Sequence, residues 1–546
     1  MSILFGRILN IKGTPPRGGF LYFNIENYSQ QKLLYIEGRK SYNIPQNEGG
    51  IFLSKTLEEL SLLVQGTKII GDSAVKITGI EHDSRKITAG NLFVCMEGLH
   101  FDGHNFINSA AESGAVAILT THENIKLPEN ISALVVPDMQ KTLAVIVPYF
   151  YDFPAKKMRV IGITGTNGKT TTSYLIRSIL MQAGYKIGLI GTIQMMIGEE
   201  IFPVHNTTPN VMDLQKTFAE MLSKNVDYVV MEVSSHAIAE NRIAGIDFNA
   251  AVFTNLTQDH LDYHKTMENY RDTKAKLFAM AKDFVVVNVD DAAGAVMLQN
   301  ANCKKITYSV ENNSDLQAVE VEVLSNGTKF KINPCNLFPV TCFLNLHLTG
   351  KFNVYNALSA VATAAGENIS TDTIKAALEA FKSVSGRFER VYADVPFTVI
   401  VDYAHTPDGV KNVIETARQI VKNKIITVFG CGGDRDNTKR PIMGRLAAEL
   451  SDIVIATSDN PRSENPETIL REIEVGIKEK IGSKIYECIP DRKAAIFRAV
   501  EIAQAGDIVL ILGKGHENYQ ILKDKTIHFD DKEIALEAIG NKLNFN

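Results

Sequence analysis

One stretch of this sequence leaves little freedom to the fold around it. Arg159-Val160-Ile161-Gly162-Ile163-Thr164 is a short, mostly apolar run that empties into Gly165-Thr166-Asn167-Gly168-Lys169-Thr170-Thr171. A helical pattern follows to about Ala183 and stops at Gly184. A buried strand, a glycine-rich loop and a helix in that order form a cradle for phosphate. Glycines let backbone N–H groups turn inward around oxygen atoms, and the helix N-terminus adds partial positive charge. In such a cradle Lys169 reaches the β- and γ-phosphates of ATP, and the Thr170 hydroxyl ligates Mg2+. The common spacing Gly-x4-Gly-Lys-Thr calls for glycine at position 163, where this chain has Ile163, so the loop is a variant form. The plainer alternative is a glycine-rich turn with an exposed lysine.

The strand Tyr228–Met231 ends in Glu232-Val233-Ser234-Ser235-His236. A carboxylate at the end of a strand neighbouring a phosphate loop is where a second metal ligand belongs. His260, within Asp259-His260-Leu261-Asp262-Tyr263-His264, is a candidate further ligand. A lone histidine is more often a structural hydrogen bonder, so its role rests on company rather than on identity.

The chain has 546 residues, enough for about three domains. Residues 1–52 hold a Gly/Pro cluster at Gly13–Gly19 and no sustained period of 2 or 3.6, and read as an extension to which no function is assigned. An αβ domain is expected over 53–154, a central parallel-sheet domain over 155–385, and a third over 386–546. Alternating polar and apolar residues at 303–349 predict an antiparallel excursion. In the third domain four apolar strands are expected at Phe397–Val401, Ile425–Phe429, Asp452–Ala456 and Asp507–Leu512. Helical segments separate them, which is the doubly wound, Rossmann-like pattern. Each strand runs into a polar cluster: Asp402–His405, Gly432–Asp436, Asp459–Arg462 and Gly513–Glu517. In a parallel sheet the carboxyl ends of the strands share one edge, so these four loops converge on one crevice.

Composition excludes several classes. Lys+Arg is 57 and Asp+Glu is 62, a net charge of −5, which argues against a general nucleic-acid binder. Six cysteines without a Cys-x-x-Cys pair make neither a disulfide framework nor a structural zinc site. No apolar run reaches the ~18 residues of a membrane helix. The expectation is a soluble, cytoplasmic, monomeric enzyme.

Taken in order, Gly165–Thr171, Glu232–His236, Asn255-Leu256-Thr257-Gln258-Asp259-His260, Asn288-Val289-Asp290-Asp291, Gly386-Arg387-Phe388-Glu389-Arg390, Asp402–His405 and Gly432–Asp436 resemble the Mur ligases. These are ATP-dependent amide-bond-forming enzymes of peptidoglycan synthesis. The resemblance covers about residues 53–546. Within the family, Asp459-Asn460-Pro461-Arg462 resembles the signature of the branch that adds meso-diaminopimelate to UDP-N-acetylmuramoyl-L-alanyl-D-glutamate. It implies three lobes: a UDP-binding αβ domain, a central P-loop ATPase-type domain and a Rossmann-like amino-acid-binding domain. It also implies phosphorylation of a γ-carboxylate, attack of an amine on the acyl-phosphate, and loss of phosphate.

The resemblance further implies roles for particular residues. Gly165, Thr166, Asn167, Gly168, Lys169, Thr170 and Thr171 would hold ATP, with Asn288 at the adenine. Arg387, Asp402 and His405 would reach the nucleotide from the third domain on closure. Thr170, Glu232 and His260 would hold Mg2+. Lys274 matches the family's carbamylated lysine, a CO2-derived N6-carboxylysine that also faces metal. Only an uncharged amine adds CO2, so that site must depress the lysine pKa. Lys169, Lys274 and His260 are the expected catalytic set. Ser84, Leu99, His100 and Phe101 match the UDP pocket, and Asn206, Thr207, Thr208, Ser234, Glu240 and Arg242 the muramoyl-dipeptide contacts. Glu240 stands where Gln is usual in the family, and His82 where an apolar residue is often found. Arg435, Asp459, Asn460, Pro461, Arg462, Gly513 and Glu517 match the diaminopimelate set.

Meso-diaminopimelate is lysine with one more carboxylate on the distal carbon, so discrimination needs a group that only this carboxylate can pair. Arg462 offers a planar two-pronged fork for it, and Glu517 can take the distal ammonium. Three rivals remain open. A folylpolyglutamate synthase shares the phosphate loop and three-domain plan. A lysine-adding Mur ligase would lack Arg462. A P-loop NTPase acting as a switch would hydrolyse ATP without forming an amide.

Overall fold

The computed structural model describes residues 54–98, 101–204, 206–339 and 341–545. The expectations for residues 1–52, Leu99 and His100 lie outside the described residues. Three sheets of five or more strands, among the described residues, carry the architecture.

The first sheet uses Lys68–Ile70 (β1), Gly79–Glu81 (β2), Asn91–Val94 (β3), Ala117–Thr120 (β4) and Ser132–Val135 (β5), in the order β1-β5-β4-β3-β2. All its pairs are parallel except β1 with β5. Residues of β3, β4 and β5 are buried throughout. Their apolar runs are therefore continuous rather than alternating, as expected for strands covered on both faces.

The second sheet has eleven strands: Arg159–Thr164 (β6), Ile187–Ile190 (β7), Met195–Ile197 (β8), Glu200–Phe202 (β9), Tyr228–Glu232 (β10), Phe248–Phe253 (β11), Ala281–Asn288 (β12), Lys304–Ser309 (β13), Leu316–Leu324 (β14), Gly327–Ile332 (β15) and Cys342–Leu346 (β16). Its order is β9-β8-β7-β10-β6-β11-β12-β13-β14-β15-β16. The strand carrying the phosphate loop lies at the centre of the parallel portion, with β10 and β11 on either side in parallel register. The antiparallel excursion expected over 303–349 begins later than the alternation suggested. β13 and β14 still join in parallel, and only β14, β15 and β16 form an antiparallel ribbon. Alternation reports a face exposed to water, not strand direction, which explains the difference.

Three helices bind this sheet to the chemistry. Helix α1 (Lys169–Gln182) starts at Gly168, which adopts φ 84. A Cβ there would stand 2.3 Å from Asn356 Oδ1, so both the left-handed backbone and the close approach require glycine. Helix α2 (Met267–Met280) buries Tyr270 and Lys274 on its inner face. The alanine-rich helix α3 (Lys351–Gly366) buries Val354, Ala357, Leu358 and Val361 in the same apolar core as Ile161, Ile163, Leu175 and Ile179. Small side chains let it lie close to α1.

The third sheet comprises Glu389–Val391 (β17), Thr398–Asp402 (β18), Ile425–Phe429 (β19), Ile453–Ala456 (β20), Ile485–Cys488 (β21) and Ile508–Leu512 (β22), in the order β17-β18-β22-β19-β20-β21. Helices Pro407–Ile420 (α4), Lys439–Leu450 (α5), Arg492–Ile502 (α6) and Asp531–Phe545 (α7) surround it. Strands β18, β22, β19 and β20 are adjacent and mutually parallel. Their carboxyl ends therefore share one edge, as the sequence predicts. A hairpin that the sequence pattern did not reveal, Tyr519–Ile521 (β23) with Thr526–His528 (β24), follows the last of these loops. The six cysteines are free, and no described helix is long and apolar enough to cross a membrane.

Candidate active site

The phosphate loop closes on itself. Lys169 Nζ donates to the carbonyls of Gly165 at 2.9 Å and Thr166 at 2.7 Å. Lys274, 1% exposed, comes from α2 and donates to the same Gly165 carbonyl at 2.9 Å. Its ammonium lies 4.5 Å from the centre of the Tyr270 ring. Burial, with the Lys169 charge beside it, pushes the Lys274 amine well below its ordinary value. Burial also lowers Lys169.

Glu232, at the end of β10, is fully buried. It accepts from Thr170 Oγ1 at 3.1 Å, Thr192 N at 2.9 Å and Thr192 Oγ1 at 2.9 Å. These are neutral donors, and a buried carboxylate supplied only by neutral donors fits a cation at the Thr170–Glu232 junction. His260 holds a left-handed backbone at φ 55, and its Nε2 stands 3.3 Å from Asp259 Oδ2. Burial pushes the His260 imidazole down to about 3, so it is neutral, the form that ligates metal.

The third sheet reaches across to this loop. Arg387 Nη2 donates to Thr170 Oγ1 at 3.1 Å. Asn167 Nδ2 donates to Asp408 Oδ2 at 2.9 Å, and Gln258 Nε2 to Thr438 Oγ1 at 3.1 Å. Lys439 Nζ lies 3.4 Å and His405 Nε2 4.0 Å from Asp259. Burial alone would raise the Asp259 carboxyl, but Lys439, His260 and His405 outweigh it and hold that group below the carboxylate range. Asp408 and Lys439 were not singled out in the sequence, and Gln258 only as a member of the Asn255–His260 motif, with no role of its own. Their contacts span long separations, and no local pattern announces them.

Two expected nucleotide contacts have protein partners of their own. Asp402 accepts from Phe388 N at 2.6 Å and Ala404 N at 2.7 Å, which fixes the backbone next to Arg387. Asn288 donates to Thr254 O at 2.8 Å and accepts from Asp290 N at 3.0 Å. Both side chains shape the loops around the cradle.

On the other side of Glu232 lies the expected dipeptide set. Thr208 Oγ1 donates to Glu232 O at 2.8 Å and receives Ser234 N at 3.1 Å. Thr207 Oγ1 meets Thr192 Oγ1 at 3.1 Å, and Asn206 is exposed. Arg242 donates twice to Glu240 Oε2, at 2.8 and 2.5 Å, and once to Thr208 O at 3.2 Å. The Glu240 carboxylate therefore captures the arginine beside it. In the first sheet's lobe Ser84 opens a short turn of helix, half-buried, and Phe101 is 62% exposed.

The four loops of the third sheet interlock. Asn460 Nδ2 donates to Glu517 Oε2 at 2.9 Å, and Arg462 Nη1 donates to Gly433 O at 2.8 Å. Gly513 adopts φ 117, and a Cβ there would stand 2.4 Å from Asp459 Oδ2. The hairpin fastens the Asp459–Arg462 loop from outside: Ile521 N donates to Asn460 Oδ1 at 2.9 Å, Gln520 Nε2 to Asp459 O at 2.7 Å, and Arg462 N to Ile521 O at 3.1 Å. Arg462 is held left-handed at φ 53, behind Pro461. Burial and the nearby Arg435 both lower its pKa, a crowding of positive charge that favours an anion. Beneath the loops Arg492 and Asp531 form a fully enclosed ion pair at 2.7 Å. Arg492 also donates to Leu512 O at 2.9 Å and Ser458 O at 3.4 Å, the carbonyls just before Gly513 and Asp459.

Models of the Mur ligase family catalytic domain, the Mur ligase middle domain and the Mur ligase glutamate ligase domain match residues 76–157, 163–364 and 386–515. The chain is 47% identical over 473 residues to UDP-N-acetylmuramoyl-L-alanyl-D-glutamate--2,6-diaminopimelate ligase 1 of Clostridium acetobutylicum, covering 86% of this chain and 96% of that one. It is 46% identical over 480 residues to the corresponding ligase of Clostridium botulinum, covering 86% and 96%. A solved structure of a UDP-N-acetylmuramoyl-L-alanyl-D-glutamate--2,6-diaminopimelate ligase is 31% identical with a TM-score of 0.61, covering 90% of this chain and 99% of that one. The MurF ligase of Thermotoga maritima, solved with ADP, shares the fold at 18% identity and a TM-score of 0.61, covering 86% and 98%.

Proposed function

The chain belongs to the Mur ligase family, and from that premise we propose that its three sheets carry three reactants to one cleft. It is an ATP-dependent, amide-bond-forming ligase of peptidoglycan precursor synthesis. It adds meso-2,6-diaminopimelate to UDP-N-acetylmuramoyl-L-alanyl-D-glutamate through an acyl-phosphate. The lobe of residues 53–154 takes the UDP end, 155–385 takes ATP, and 386–546 takes the amino acid. With ATP and a UDP-linked acceptor as reactants, the reaction belongs to the cytoplasm.

The observation that carries this reading is the meeting of two sets of loops. Arg387 Nη2 is 3.1 Å from Thr170 in the phosphate cradle, while the same sheet edge presents Arg462, Asn460 and Glu517. Each group then has a task. Lys169 leaves its own loop carbonyls for phosphate oxygens, and Arg387 spreads positive charge over the transferring phosphoryl group. Arg242 and Ser234 hold the dipeptide so that its γ-carboxylate faces the phosphate. Attack of that carboxylate on the γ-phosphorus releases ADP. The amine then adds to the acyl carbon, and the tetrahedral species expels phosphate and loses a proton. Arg462 takes the distal carboxylate of diaminopimelate, and Glu517 its distal ammonium.

Thr170, Glu232 and His260 would hold Mg2+, which when bound neutralises charge on the phosphate oxygens. Lys274, as its carbamate, would supply a further ligand. Its lowered pKa favours the uncharged amine that CO2 requires, and the product anion would sit favourably beside the Lys169 ammonium, which shares the Gly165 carbonyl with it. The test is mass spectrometry of the product formed from UDP-muramoyl-dipeptide, ATP and a mixture of lysine and meso-diaminopimelate. A tripeptide carrying only diaminopimelate is expected. Incorporation of lysine, or ADP without any tripeptide, rejects the reading.

A further inference from the structure

A buried lysine that no expected role uses lies directly behind the amino-acid pocket. Lys514 is fully enclosed. Its ammonium donates to Glu517 Oε2 at 3.0 Å and to Asn460 Oδ1 at 3.2 Å, and lies 5.4 Å from the centre of the Tyr519 ring. Enclosing an ammonium is unfavourable unless its partners are well placed, so the position is a built one. Three further contacts make the triangle rigid. Asn460 Nδ2 donates to Glu517 Oε2 at 2.9 Å, Asn460 Oδ1 accepts from Ile521 N at 2.9 Å, and Gln520 Nε2 holds Asp459 O at 2.7 Å. With two donors on its oxygen and a carboxylate at its nitrogen, the Asn460 amide has one sensible orientation. Lys514 and Asn460 both hold Oε2, and the Tyr519 hydroxyl also hydrogen-bonds the carboxylate, so Oε1 is the oxygen left free of nitrogen donors for a ligand.

We propose that Lys514 is a positioning residue for amino-acid selection: it anchors Glu517 through Oε2 so that Oε1 meets the distal ammonium of the incoming diamino acid. This rests on the assignment of Glu517 to the amino-acid pocket. Without Lys514 the carboxylate keeps only Asn460 and Tyr519 as hydrogen-bond partners, is held less firmly, and loses the neighbour that balances its charge while the pocket is empty. The ligand then has to order it, and selectivity for a distal ammonium falls.

The experiment compares meso-diaminopimelate with 2-aminopimelate, which keeps the distal carboxylate and lacks the distal ammonium. The ratio of kcat/KM for the two is measured in the full-length enzyme and in Glu517→Gln, Lys514→Met and the double variant, together with KM for ATP. Each single change is expected to lower the ratio by about tenfold or more, the double change no further, with KM for ATP unchanged. A general loss of structure would lower both rates and leave the ratio alone. If Lys514→Met does not fold, Lys514→Gln, which keeps a donor and removes the charge, takes its place. An unaltered ratio in the Lys514 variant, or losses that add in the double variant, overturns the proposal. An unaltered ratio in Glu517→Gln overturns the pocket assignment itself, and the proposal with it.

Discussion

Lys169 and Lys274 donate to one carbonyl oxygen, that of Gly165, each from 2.9 Å. The half-buried Lys169 and the buried Lys274 compete for one acceptor, and the amine on α2 is pushed well below its ordinary pKa by burial and by the Lys169 charge. Lys274→Ala should therefore lose at least about a hundredfold in ligase rate, the usual scale for removing a group that stabilises transferring charge, while melting cooperatively. Enzyme equilibrated with 13C-bicarbonate should give a carbamate resonance that is missing from Lys274→Ala. Near-normal turnover in that variant would remove the carbamate from the mechanism.

Arg387 ties the third sheet to the cradle through Thr170 and rests 4.5 Å from the Tyr403 ring centre. Arg387→Lys keeps the charge but not the planar fork. A fall in kcat of about ten- to a hundredfold, with a smaller rise in KM for ATP, is expected because the contact matters most when charge develops on the phosphoryl group. Steady-state kinetics read this, and a change in KM alone would place Arg387 in ground-state binding.

Arg462 should govern which amino acid is accepted. Arg462→Ala is expected to raise KM for meso-diaminopimelate by a factor on the order of a hundred or more, from the loss of a charge-assisted pair worth about 3–5 kcal/mol. ATP binding should stay within about twofold, since the nearest cradle residues belong to another sheet. Isothermal titration with each ligand separates the two effects, and equal losses for both would point to collapse of the loop.

Glu240 holds Arg242 through two contacts to a single oxygen. An anionic substrate must compete with that carboxylate for the arginine. Glu240→Gln should therefore lower KM for the UDP-linked dipeptide by about three- to tenfold, a gain of about 1 kcal/mol. A raised KM would mean that Glu240 holds Arg242 in its working orientation.

Burial lowers His264 from 6.5 to about 4 and His260 to about 3. As pH falls below 6.5 the unfolded chain takes up these protons first, so unfolding is favoured. The neutral imidazoles contribute fully above pH 6.5, and their contribution is lost between there and pH 4 or 3. His264 bonds Ser235 Oγ at 2.9 Å. His264→Gln should flatten the fall in stability between pH 6.5 and 4 by up to about 1.4 kcal/mol per pH unit. Urea melts across that range test it, and an unchanged slope would mean that His264 does not titrate differently in the two states.

Much of this was legible in the residues. Strands Arg159–Thr164 and Ile425–Phe429 have the bounds that their sequence predicts, because each is a short apolar run bounded by charge on one side and glycine on the other. The convergence of the four C-terminal loops follows from parallel strands alone. The hairpin Tyr519–Ile521 with Thr526–His528 was not legible: its strands are three residues each, too short to show a period, and are tied to Asp459, Asn460 and Arg462 by hydrogen bonds that mix backbone and side chain. Nor was the pairing of Lys439 with Asp259, 180 residues apart, since long-range ion pairs leave no periodic trace. The full burial of Lys514 leaves no mark in the loop sequence Gly513–Glu517 either.

The Arg492–Asp531 pair holds the two specificity loops from below by their backbone carbonyls, not by their side chains. Recognition is therefore detachable from support. With Arg462 and Glu517 reading the amino acid as proposed, a change of building block calls for new side chains at 462 and 517, whereas the suspension beneath stays as it is. A lineage could thus exchange one cross-linking amino acid for another without rebuilding the domain, and a designer could do the same with a handful of codons.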